Sequence, residues 1–158
     1  MSATLVLRLT GGASNNDPNA SLGGTRSSVA VSGTAMNNLF DNVSPDEATA
    51  GDVEYRAVDL VNTGDATAVS VTAYFEPNTS SADTQLAVGS DGVESTKSIA
   101  DEGAAPAGVS FTEPTSGAKL SLPNIPAGEG CRLFFRRTVT AGAGNTANDA
   151  ATIKCEYA

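Results

Sequence analysis

The sequence predicts an all-β fold, two packed sheets with one short helix, and three observations carry that expectation. Gly 16 and Pro 7 among 158 residues, with only 17% charged residues, call for many turns and short elements instead of long helices. Short runs alternating apolar and polar residues recur along the chain, bounded by Gly, Pro, Asn or Asp. A chain of this length buries roughly 70% of the surface it exposes when unfolded, so residues 1–158 read as one domain with its own core.

The elements follow in order. Thr4–Thr10 places Leu5, Leu7 and Leu9 on one face, as a half-buried strand should. Gly11–Gly24, in an N-terminal loop segment of about 11–26, is rich in Gly, Asn and Ser and reads as too polar to pack and long for a connection. Ser27–Ser32 is a short strand, and Leu39 and Phe40 within 37–43 plug the core. Ser44-Pro45-Asp46-Glu47 is a capping box with Pro at the first helical position, and Gly51 stops the helix.

Val53–Asn62 is apolar on neither face alone, which implies a strand covered on both sides. Val69–Phe75 and Thr84–Val88 are strands, and Asp91-Gly92 reads as a tight turn. Residues 90–108 form a long polar loop, followed by short strands at 109–111 and 119–122. Cys131–Thr140 is the strongest strand, and residues 150–157 close the chain as another. Phe134 and Phe135 point to opposite faces, so one should fill the core and the other should matter little.

Charge narrows the partners. Nine Lys and Arg against eighteen Asp and Glu give −9, a surface that repels phosphate backbones. The one dense basic cluster, Arg132, Arg136 and Arg137, lies within a strand and reads as a solvated face. No apolar run approaches the roughly 20 residues that cross a bilayer, and Met1–Thr10 is not a leader peptide, which reads as a complete chain made in the cytosol. Neither nucleic acid nor membrane is an expected partner.

Little catalytic chemistry is on offer. With no His, the chain lacks the commonest general base near neutral pH and the commonest zinc ligand. No nucleophile elbow, P-loop or dinucleotide fingerprint is present. Asp52 and Glu54 share a strand face and are the one candidate acid pair for hydrolysis, without a Trp to stack a sugar. Asn15–Asn19, Asp41 and Asp46 offer hard oxygen ligands for calcium, but no calcium loop, and an Asx-turn explains the segment better. Cys131 and Cys155 lack metal spacing; a cross-strand disulfide is conceivable, and two free buried thiols fit a reducing cytosol better. No enzyme and no cofactor are expected.

Two segments, VNTGDATAVSVTAYF at 61–75 and IPAGEGCRLFFRRTV at 125–139, are similar to immunoglobulin-like modules of bacterial surface proteins. That resemblance implies an immunoglobulin-like or jelly-roll β-sandwich. LRLTGGASNNDPNASLGG at 7–24, NNLFDNVSPDEATAGDVEYRAVDLVNTGDA at 37–66 and the closing strands resemble small virion proteins of tailed bacteriophages. This second resemblance implies a structural component of the particle, assembled in the host cytoplasm and without catalytic residues. Its most specific form is a capsid decoration (cement) protein on the capsid surface, bridging and stabilising major capsid protein subunits. The alternatives are a tail or baseplate component, or a surface module that binds glycan or a host receptor. A homo-oligomer is expected, a trimer before a dimer on a threefold lattice position. The expected contact residues are Asn15, Asn16, Asp17, Asn19, Leu22 and Arg26, and deleting 12–23 is expected to leave the fold intact.

Overall fold

A computed structural model describes residues 1–34 and 36–158. Strands β1 (Leu5–Thr10), β2 (Arg26–Ala30), β3 (Asp52–Asn62), β5 (Thr84–Val93) and β7 (Gly130–Val139) form one sheet in the order β2-β1-β3-β7-β5. Strands β4 (Thr72–Phe75), β6 (Leu120–Ser121) and β8 (Ile153–Glu156) form a second in the order β6-β4-β8. Neighbouring strands run antiparallel in both sheets. The fold is the expected all-β sandwich.

Register explains the core. Leu7 pairs with Leu60, Leu60 with Cys131 and Val58 with Leu133, so cross-strand partners share the face turned to the second sheet. Phe75 of β4 meets Phe135 of β7 edge-on, ring centroids 6.2 Å apart, and joins the two layers. Val71, Leu122 and Ile125 complete the core from the second layer.

The opposite face of the large sheet is covered by residues 11–25 and 94–112, not by a sheet. This corrects the reading of Gly11–Gly24 as too polar to pack. Ser21 is wholly buried, its hydroxyl donates to the Ala57 carbonyl at 2.6 Å, and Ala57 N–H donates to the Ser21 carbonyl at 2.7 Å. Ile99 N–H donates to Leu22 and Gly24 N–H to Lys97, so the two loops also hold each other. Phe134 is therefore fully buried beneath them, and the expectation that one phenylalanine of the pair matters little does not stand.

Helix α1 (Pro45–Ala50) carries the expected box: Glu47 N–H donates to Ser44 Oγ, and Ser44 N–H donates to a Glu47 carboxylate oxygen. Gly51 ends it at φ 79°, where a Cβ would lie 3.1 Å from the Val139 carbonyl oxygen. Leu39 and Phe40 pack against the core as expected. Asp91-Gly92 is not a turn: β5 continues through a bulge there, with Gly92 at φ 91°. Residues 109–111 form no strand; an isolated bridge between Val88 and Thr112 ties that loop to the sheet edge.

Candidate functional site

The functional geometry begins with a mismatch of sheet widths. Three strands lie over five, and β1 remains beyond β8 with Leu5 and Leu7 half-buried. Between them opens a groove of about 1340 Å³, floored by Leu5, Leu7, Leu86 and Phe135, with Ile153 on one wall. Residues 37–45 and 143–152 form its lips. Such a volume exceeds that of ordinary small-molecule clefts, and its floor is apolar.

One end of the groove is electrostatic. Arg137 bonds Glu54 across β3 and β7, and also the Asp41 carbonyl on the lip. Arg56, wholly buried, reaches Glu102 at 2.8 Å and Asn19 at 3.3 Å. The Phe40 ring lies under both guanidiniums, at 5.3 Å from Arg56 and 5.1 Å from Arg137, which pins the lip to the sheet. Burial raises the Glu54 carboxyl above its ordinary range, and the facing Arg137 and Arg56 only partly oppose this.

Glu47, Asp52 and Glu54 bring carboxylate oxygens within 4.8 Å of one another, spacing that a divalent cation could bridge. Two of the three are already engaged: Glu47 closes the helix cap, and Glu54 holds Arg137. Glu54 is 2% exposed and paired with Arg137, so one member of the acid pair read from the sequence is a buried structural counter-ion, while Asp52 is half-buried. Asp46 lies in the first turn of α1, where it suits the helix dipole.

A second network staples the loops to the far face. Arg132, 1% exposed, donates from Nε to Asp59 at 2.6 Å, from Nη2 to the Gly24 carbonyl at 2.8 Å, and from Nη1 to the Lys97 carbonyl. One guanidinium thus holds both covering loops. The Arg132–Arg137 cluster is therefore not a solvated face. Arg132 and Arg137 are buried, and Arg136 stacks on Phe111 at 5.2 Å.

The expected contact residues lie on this strapped segment. Asn15 donates to the Thr10 carbonyl at 2.7 Å, and Asp17 accepts from Asn19 N–H at 3.0 Å, the expected Asx-turn. Asn16 is exposed, and Leu22 is half-buried. Arg26 bonds Asp59 at 3.2 Å and also Glu94, so its guanidinium is committed within the chain. Burial works against the Glu94 charge, but the Gly130 N–H and Arg26 outweigh it and hold that carboxyl below its usual range. Deleting 12–23 would remove Ser21 from the Ala57 backbone and uncover Phe134, so the fold would not remain intact.

Both cysteines are unpaired. Cys131 and Cys155 lie in different sheets, against the same core, not on adjacent strands. Burial raises both thiols, Cys155 to about 12, which keeps them unreactive near neutral pH. The groove itself had no signature in the sequence, because it arises from unequal sheet widths. Comparison with known protein families, characterised proteins and solved structures returns no match for this chain.

Proposed function

We propose that the chain is a non-enzymatic structural module that docks on other proteins of a tailed-bacteriophage particle. Its most specific form is a capsid decoration protein bridging major capsid subunits. The observation that supports this best is the groove: a large trench with an apolar floor beside an open sheet edge, on a body whose other sheet face is closed by its own stapled loops. Such a body offers a partner a fixed surface with little ordering cost. Of the carboxylates gathered near the groove, Glu47 closes a helix cap and Glu54 holds Arg137, and burial raises both thiols, so docking suits this chemistry better than turnover. The similarity of 7–24 and 37–66 to small virion proteins points the same way.

Adding purified protein to particles that lack it tests the reading. The protein should co-sediment with them and raise the temperature at which they release DNA, and sedimentation equilibrium should show the free protein as a homo-oligomer, a trimer before a dimer. If it never binds heads, the decoration role fails. If it binds host-envelope sugars instead, the surface-module alternative replaces it.

A further inference from the structure

We propose that the groove takes an extended, basic strand of a partner protein, which joins the free edge of β8 as a fourth strand of the small sheet. The proposal deepens the docking reading above by naming the chemistry of what docks. Among the described residues β8 pairs with β4 alone, and no backbone hydrogen bond reaches its other edge. Glu76 N–H donates to the Thr152 carbonyl, and alternation along the strand then aims the N–H and C=O groups of Ile153 and Cys155 away from β4, into the groove. Unpaired main-chain groups in a row beside an apolar floor call for an extended backbone, which alone satisfies both donors and acceptors at strand spacing. Lipid or a compact ligand would cover the leucines and leave those groups unpaired.

The charge of the occupant follows from the lining. Its cation, Arg137, is spent on Glu54 and Asp41. Asp149, on the lip formed by 143–152, uses Oδ1 to accept from Ser80 N–H, Ser80 Oγ and Ser81 N–H, at 2.7, 3.0 and 3.1 Å. Its other oxygen, Oδ2, is buried without a partner. Asp41, on the opposite lip, has Oδ1 3.4 Å from Arg137 and still leaves its side chain 48% exposed. Two lip carboxylates thus face a lining whose one cation is already paired with Glu54, and a lysine or arginine from the incoming strand would complement that net negative charge. Alternate apolar side chains of that strand would lie over Leu5 and Leu7, which are short of cover.

The test uses the full chain and a capped peptide of about eight residues alternating valine and threonine with one terminal lysine. Titration followed by amide resonances should move Ile153, Cys155, Leu5 and Leu7 together. A glutamate-terminated peptide should bind about tenfold more weakly, and Asp149→Asn, which keeps the Oδ1 acceptor, should erase that difference. The lysine peptide N-methylated at every second residue, in the phase facing β8, should not bind. The proposal is overturned by no shift, by shifts outside the groove, by equal binding of the N-methylated peptide, or by protection of Ile153 and Cys155 through self-association alone. If deficient particles take up the protein while the peptide fails, the groove assignment falls and the docking reading stands. If the peptide binds and particles never do, the docking reading falls instead.

Discussion

At its central strands β3 and β7, the large sheet is buried on both faces by opposite means. Toward the small sheet, Val58, Leu60, Leu133 and Phe135 pack against Phe75, Val71 and Ile125, and dispersion and water release do the stabilising. On the far side, Ala57 and Phe134 lie under loops of Ser, Gly, Asn and Ala held by Arg132, Asp59 and backbone hydrogen bonds. A polar segment can therefore cover a sheet once its backbone groups are paired. The groove is the place where neither means is applied. There β1 keeps apolar side chains without a lid, and β8 keeps an edge without a neighbour.

The sharpest way to break the comparison is to truncate the adjacent aromatics separately. If burial under loops equals burial under a sheet, Phe134→Ala and Phe135→Ala should each cost about 3–5 kcal/mol in chemical denaturation. A loss below about 1 kcal/mol for Phe134→Ala would mean that the loops rest on the sheet without packing it.

The second test removes the staple. Asp59 is 2% exposed and holds both Arg132 and Arg26. Asp59→Ala leaves Arg132 buried without its counter-charge, and about 3–5 kcal/mol should be lost. Hydrogen exchange should show where: the amides of Gly24 and Ile99 in the loops should lose protection before Leu60 and Leu133 in the sheet. Uniform loss across both faces would show that the staple belongs to the global fold and not to the loop layer.

This contrast also marks what was legible in the sequence. Alternation in Thr4–Thr10 and the Ser44–Glu47 box reported local geometry, and both elements formed where their side chains required. The mixed faces of Val53–Asn62 correctly implied cover on both sides, because a strand with Val58 and Leu60 on one face and Ala57 and Val61 on the other has nothing to give to water. Residues 11–24 misled because polarity was taken for exposure, whereas Ser21 and Gly24 are held through their backbone carbonyls, by Ala57 N–H and by Arg132, which composition does not display. The arginines misled for a related reason, although a signal existed. A single antiparallel register sets Glu54 opposite Arg137 and Asp59 opposite Arg132, so the charges of the two strands are complementary before any fold is known. The groove left no comparable trace, since sheet width is set by distant pairings.

The smallest expected effect separates the two networks by sign. Glu54, on the inner face, has its carboxyl raised by burial, so the folded chain binds that proton more tightly than the unfolded chain. Stability should therefore fall as pH rises from about 4.3, the ordinary glutamate value, through the higher folded value. Glu94, on the far side, is lowered by the Gly130 N–H and Arg26 despite its partial burial. Its contribution is present above the ordinary value and is lost as pH falls through the lower folded one. Replacing each by Gln and following melting temperature against pH should flatten the profile in opposite directions: Glu54→Gln should remove a decline on the alkaline side of that value, and Glu94→Gln an acid-side loss. Should both variants flatten the same limb, Glu54 would be held as a charge by Arg137, and the inner network would be a staple of the same kind as the outer one.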